Sequence, residues 1–202
     1  MKNDIETKER LVASAKKEFL EKGFAQASLR NICKNAGVTT GALYFFFQNK
    51  EDLFASIVEQ PLNALYEILG QHFAWELNLQ NTQDAWGECD SEDFRIAKQM
   101  LHCMYQNYDE FQLLLMKARG SKYEHMEEQF VEIAEKQYRV IADTISLQNN
   151  GPRLEDYMIH WFAHTQVNLF VHLVSHEKAE ESAMKHLEEM VGCLVACWNQ
   201  LM

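Results

Sequence analysis

From Leu11 to Leu201 apolar residues recur at spacings of three and four, and only two prolines and eight glycines interrupt the 202 residues. That is the period of a helix with one face in a core, whereas a half-buried strand would alternate. The chain is therefore expected to be all-α, and it contains no repeats or low-complexity tracts. With 47% hydrophobic residues it can bury a sizeable core. No run of 18 apolar residues occurs and the opening MKNDIETKER is charged, so neither a membrane span nor a signal peptide is expected, and the expected location is cytoplasmic. Five cysteines, an odd number without CxxC spacing, read as reduced thiols.

Charge is distributed unevenly. Residues 1–50 carry nine Lys/Arg against five acids, within a chain of net charge −11. A basic head on an acidic body points to a polyanion met by the head alone, because the body's field would repel one. Within the head, Leu11, Ala15 and Phe19 stripe a first helix that is expected to end at Gly23 in a left-handed cap. Ser28 can cap a short second helix with Leu29, Ile32 and Ala36 inward, Gly37-Val38 makes a tight turn, Thr39 can cap a third helix and Asn49 a fourth. Two short helices joined by a glycine turn form a helix-turn-helix, whose second helix enters a DNA major groove.

The third helix contains four consecutive aromatics, Tyr44 to Phe47, which must point in four directions about 100° apart. Leu43 and Phe47 share a face with Val38 and are expected to be buried, with Phe46 flanking them. Tyr44 and Phe45 either pack on a later helix or face outward; the basic head favours DNA, with the phenol offered to phosphate and the Phe45 ring to bases or thymine methyls. Thr40 offers a hydroxyl, Ala42 an apolar contact, and no arginine stands on this helix to read guanine, so A·T-rich half-sites are expected.

The stretch RLVASAKKEFLEKGFAQASLRNICKNAGVTTGALYFFFQNKEDLF, residues 10–54, resembles the DNA-binding domain of the TetR (tetracycline repressor) family. The resemblance rests on A..F...GF in the first helix, S.R.I...AGV in the second and G.LY..F..K..LF across the third and fourth. It implies a three-helix helix-turn-helix head, residues 1–48, on a helical ligand-binding and dimerisation body, residues 49–202. It carries phosphate contact to Tyr44 and Lys50, and base or backbone contact to Thr39, Thr40, Gly41, Ala42 and Phe45. Position 46, usually His or Tyr, is Phe here, and position 48, often Lys, is Gln. Both changes remove polar contacts, so a larger share of phosphate anchoring falls to Arg30, Lys50 and the lysines of the first helix.

The fourth helix runs past Pro61, where a kink is expected, and residues 80–93 read as an acidic loop. Met100, Met104, Tyr105, Phe111 and Met116, with Trp161, Phe162 and Thr165 of the penultimate helix, are candidates for an apolar pocket; methionine at helical spacing is also ordinary core. Residues 154–176 and 179–201 form two amphipathic helices. The apolar stripe Leu187, Met190, Val191, Leu194, Trp198 and Leu201 is the candidate dimer seam of a four-helix interface. His160, His164, His172 and His176 form a ridge that fits an interface better than a metal site, and Cys193 and Cys197 read as small buried hydrophobes.

These features converge on a DNA-binding transcriptional regulator, a repressor released from a pseudo-palindromic operator in double-stranded DNA by a small-molecule effector, acting as a homodimer without membrane, metal or cofactor. The alternative is a helical small-molecule-binding dimer whose DNA head has weakened. An enzyme is not expected, since no nucleophile-base pair, phosphate loop or paired carboxylates occur in a motif context.

Overall fold

A computed structural model describes residues 2–79 and 86–202 of the chain. Among them lie α1 (Lys2–Gln26), α2 (Leu29–Ala36), α3 (Thr40–Phe46), α4 (Lys50–Leu79), α5 (Trp86–Gln106), α6 (Tyr108–Gln112), a π-helical turn (Leu113–Lys117), α7 (Met126–Gln148), α8 (Asp156–His176) and α9 (Glu180–Leu201). No strand occurs among the described residues, as the 3.6-residue period requires. Of the acidic loop expected over 80–93, residues 80–85 lie outside the described residues and the rest is helix, α5 beginning at Trp86. Acidic residues suit the first turns of a helix as well as they suit a loop. α4 is continuous through Pro61, whose ring nitrogen cannot donate to the Ile57 carbonyl.

The chain forms two compact units. The first comprises Met1–Asn63 and Asn107–Met126, the second Ala64–Gln106 and Glu127–Met202. The packing boundary therefore differs from a division at residue 48, for a physical reason. Phe54 of α4 meets Phe19 edge-on at 5.0 Å, Phe24 at 5.2 Å and Tyr123 at 5.8 Å, so the start of α4 and the 107–126 segment share one core with α1. Leu11, Ala15, Phe19, Ile32, Leu43, Leu53, Phe111 and Leu113 complete that core without solvent exposure. Polar contacts close its edge: Lys16 bridges Asp109 at 3.0 Å and Glu110 at 2.9 Å. Glu59 accepts from Tyr123 at 2.7 Å and Lys122 at 3.0 Å.

α1 is interrupted at Gly23, where φ is 73° and ψ 162°. The turn is positive in φ as expected, but its ψ lies far from a left-handed cap, in a region open essentially to glycine alone. Below it, buried Glu18 serves the chain reversal: it accepts from Lys22 at 2.8 Å, the Ser28 amide at 3.3 Å and Asn31 at 3.4 Å. The Lys22 hydrogen bond, then the Ser28 and Asn31 donors, hold its carboxyl below the usual range against the opposing effect of burial.

In the second unit α5 packs on α8 and α9, and α8 on α9. Leu65, Leu101, Ala163, Leu173 and Leu187 lie in its interior. Tyr138 meets Phe162 edge-on at 4.8 Å and Trp198 at a tilt at 4.9 Å, which fixes α7, α8 and α9 together. The Tyr105 hydroxyl donates to the carbonyls of Glu177 at 2.7 Å and Leu173 at 3.2 Å, satisfying the end of α8.

Two stability predictions follow from this packing. Phe54→Ala should lower unfolding free energy by about 3–5 kcal/mol, and Phe45→Ala, on the surface, by no more than about 1 kcal/mol, in urea denaturation. Because the Glu18 carboxyl is depressed in the fold, its stabilisation is present above the ordinary value of 4.5 and is lost as pH falls through the folded value. Glu18→Gln should therefore reduce the urea midpoint at pH 7 and reduce it progressively less as pH falls below the ordinary carboxylate range.

Candidate nucleic-acid interface

α2 starts at Ser28, whose hydroxyl accepts from the Asn31 amide at 3.4 Å. It stops at Gly37, held left-handed at φ 67° and ψ 35°, with its N–H donating to the carbonyls of Cys33 and Lys34. The Val38 amide bonds Cys33 O at 3.0 Å, and the Ser14 hydroxyl bonds Ile32 O at 2.9 Å, pinning α2 to α1. Thr39 then caps α3, accepting from Ala42 N at 3.2 Å. The Thr39 hydroxyl thus has a structural task, and its expected DNA contact shares that oxygen.

α3 is seated by Leu43, which is 0% exposed, and by Phe47 at 3%. Lys8 of α1 covers the Phe47 ring at 5.6 Å. The opposite rings face outward: Tyr44 is 58% exposed and Phe45 77%, with Phe46 half-buried and meeting Phe45 edge-on at 5.0 Å. No ring contact of Tyr44 or Phe45 with a later helix occurs among the described residues. Thr40 and Gly41 are exposed beside them and Ala42 is half-buried, so the outward face of α3 presents one hydroxyl, one phenol and an apolar surface.

The cations around this face divide into two groups. Arg30 and Lys34 of α2 are exposed, and their side chains make no hydrogen bond or ion pair among the described residues. Lys16 and Lys22, two of the first-helix lysines expected to anchor phosphate, are instead paired with Asp109, Glu110 and Glu18. Lys50 also departs from expectation. Its ammonium donates to the carbonyls of Phe24 at 2.6 Å, Ala25 at 3.2 Å and Ala27 at 3.2 Å, so its protons are directed into the protein. The signal for this was the proximity of a glycine-broken helix end to the Asn49 cap, which spacing alone does not reveal.

The remaining candidates scatter. Met104 and Phe162 are core, Phe162 packed between Tyr138 and Trp198. Met100 and Tyr105 are half-buried, the Thr165 hydroxyl bonds Trp161 O of its own helix, and Trp161 is 43% exposed. Phe111 and Met116 belong to the other unit. A cleft of about 290 Å³ lies in the second unit, among Ile145, Leu154, Met158, Leu201 and the 149–153 turn, and none of the eight pocket candidates borders it.

Of the expected dimer seam, Leu187 and Val191 are buried in their own chain and Trp198 meets Tyr138 and Phe162 at a tilt, because α9 packs on α5 and α8. The free face of α9 is the other one, Glu189, Cys193, Ala196 and Gln200, so Cys193 is exposed where burial was expected; Met190, Leu194 and Leu201 are half-buried. In the histidine ridge, His160 Nδ1 contacts the Glu135 carboxylate and His176 Nδ1 the His172 carbonyl at 3.0 Å. No group of three or more metal-binding side chains occurs among the described residues. No helix there is long and apolar enough to cross a membrane.

Comparison with known proteins falls on the same segment. Residues 11–57 match the family described as bacterial regulatory proteins, tetR family. The chain is 47% identical over 66 residues to the HTH-type transcriptional repressor BepR of Brucella suis, covering 33% of this chain and 32% of that protein. It is 43% identical over 63 residues to the HTH-type transcriptional regulator AcrR of Shigella flexneri, covering 31% and 29%. The chain thus spans about a third of the length of the curated relatives it matches. The fold match is far longer. A transcriptional regulator of Aquifex aeolicus superposes with TM-score 0.60 at 19% identity over 93% of this chain and 99% of that one. NalD, the secondary repressor of the MexAB-OprM multidrug efflux pump in Pseudomonas aeruginosa, superposes with TM-score 0.54 at 20% identity over 95% and 96%. Residues 11–57 thus match the tetR family of bacterial regulatory proteins in sequence, and nearly the whole chain shares the fold of these solved structures.

Proposed function

We propose that this protein is a sequence-specific DNA-binding transcriptional repressor, a homodimer released from a pseudo-palindromic operator by a small-molecule effector. The observation that carries the reading is the orientation of α3: its buried Leu43 and Phe47 fix the helix while Tyr44 and Phe45 stand in solvent. Tyr44 and Phe45 are adjacent and Phe46 meets Phe45 edge-on, so they form a contiguous apolar patch of the kind a partner covers. Uncommitted Arg30 and Lys34 flank the same face, and α2 and α3 have the helix-turn-helix spacing that sets a helix into a major groove. BepR and NalD, both called repressors, support the sign of regulation.

Residues 1–48 contact DNA in this reading, and residues 49–202 bind the effector and dimerise. Tyr44 and Arg30 hold phosphate; Thr40, Ala42 and Phe45 read base edges; Thr39 and Gly41 allow the close approach of backbone. The dimer face is formed by the outward sides of α8 and α9, where Trp161, Asn168 and His172 lie on one helix and Cys193 and Ala196 on the other, all exposed at helical spacing. Effector acts by binding one body conformation more tightly than another, which shifts the population away from the state whose paired heads match the operator. No catalytic step enters this scheme.

Selection from a random duplex pool tests the reading. It should return a two-fold symmetric site with A·T-rich half-sites about one helical turn (~10 bp) apart; enrichment of guanine runs, or of nothing, refutes it. On the selected duplex, Tyr44→Phe should weaken binding by about fivefold for cognate and altered sites alike, and Arg30→Ala should flatten the log-affinity against log-salt line by about one. In sedimentation, Ala196→Glu should shift the dimer to monomer with helicity intact, whereas Leu187→Ala should lower stability by about 2–5 kcal/mol without this selective effect.

A further inference from the structure

The end of α1 is a cation site built from the main chain. Gly23 breaks the helix at φ 73°, and the Phe24, Ala25 and Ala27 carbonyls beyond it converge on one point. A helix end leaves such carbonyls without donors and carries partial negative charge. The Lys50 ammonium occupies that point, with three protons for three carbonyls, and lies 4.6 Å from the centroid of the Phe24 ring. Its backbone is equally fixed: Asn49 caps α4 by accepting from Asp52 N at 2.9 Å, and Asp52 accepts from Gln48 N at 3.0 Å. Burial pushes the ammonium below the ordinary lysine range, with neighbouring Glu51 acting against the shift.

Resting on the DNA-binding reading above, we propose that Lys50 is a positioning residue rather than a phosphate ligand, a clamp joining the first residue of α4 to the α1–α2 turn. The turn leads directly into Ser28, the cap of α2, so the clamp sets where Arg30 and the recognition helix stand. A phosphate would have to take protons that three carbonyls already hold, and would strip the lysine donor from each of them. Lys50 thus acts on DNA affinity through geometry. Its loss changes affinity without removing a released counterion.

Lys50→Met keeps the apolar stem over Phe24 and removes the donors, so it separates the two roles. At a temperature where circular dichroism shows the variant fully folded, affinity for the selected duplex should fall by about tenfold at every salt concentration, giving a line parallel to that of the unaltered protein. A line flatter by about one, as expected for Arg30→Ala, makes Lys50 a phosphate ligand and overturns the clamp; unchanged affinity overturns it equally. Amide exchange supplies a readout independent of DNA. The Ala27 amide, bonded to the Gly23 and Phe24 carbonyls, should exchange about tenfold faster in Lys50→Met, with the Leu43 amide unchanged. Unchanged exchange at Ala27 disposes of the clamp whether or not DNA binds. A protein that selects no duplex yet shows the accelerated exchange loses the regulator reading and keeps the clamp.

Discussion

A seven-residue helix has no stability of its own in water, so α3 exists because Leu43 and Phe47 are buried against the first helices. That single contact sets the rest of the head. Once those two side chains point inward, helical geometry turns Tyr44 and Phe45 outward, and no rotation of α3 can hide them without exposing Leu43. The contact is reinforced at both ends by main-chain devices: the Thr39 hydroxyl on Ala42 N, and the Phe47 N–H on Leu43 O. A short helix fixed in rotation and capped at its start suits recognition, because base contacts require side chains held within fractions of an ångström.

The same core extends beyond the head. Phe54 touches Phe19, Phe24 and Tyr123, so residues of α1, α4 and the 107–126 segment are mutual neighbours in one aromatic cluster. A cluster of this kind resists gradual deformation, since close-packed rings exchange one arrangement for another rather than sliding. The Lys16 bridges to Asp109 and Glu110, and the Glu59 bonds to Tyr123 and Lys122, add charged ties between the same segments. Exposed ion pairs contribute little individually, and their value here is in registering one segment on another.

Much of this was legible in the sequence. The helical period, the Ser28, Thr39 and Asn49 caps, the Gly37 turn and the inward pair Leu43/Phe47 are local properties, carried by residues within a turn of one another. What local pattern does not carry is non-local. The stripe Leu187, Val191, Trp198 was correctly apolar, but an apolar stripe does not state whether its partner is a second copy or the chain's own α5 and α8. The pocket candidates were chosen by residue type, and side chains of one type, such as Met104 in the interior and Met116 in solvent, occupy opposite environments in different units. Lys50 shows the same limit: a lysine beside a recognition helix suggests phosphate, while the carbonyls that hold it in the structure lie more than 20 residues earlier.

The electrostatic consequence is a division of labour among cations that composition conceals. Of the basic residues in the first 50, Lys16, Lys22 and Lys50 serve the fold, and Arg30 and Lys34 stand uncommitted beside α3. The charge available to meet phosphate is therefore smaller than the head's count of basic residues implies. Affinity from counterion release falls with each phosphate contact withdrawn, while contacts with base edges do not depend on that count. With three of its nine cations committed to the fold and an exposed aromatic reading surface, the head shifts the balance from non-specific attraction toward discrimination. The strongly acidic remainder of the chain, which opposes sliding along any polyanion, acts in the same direction.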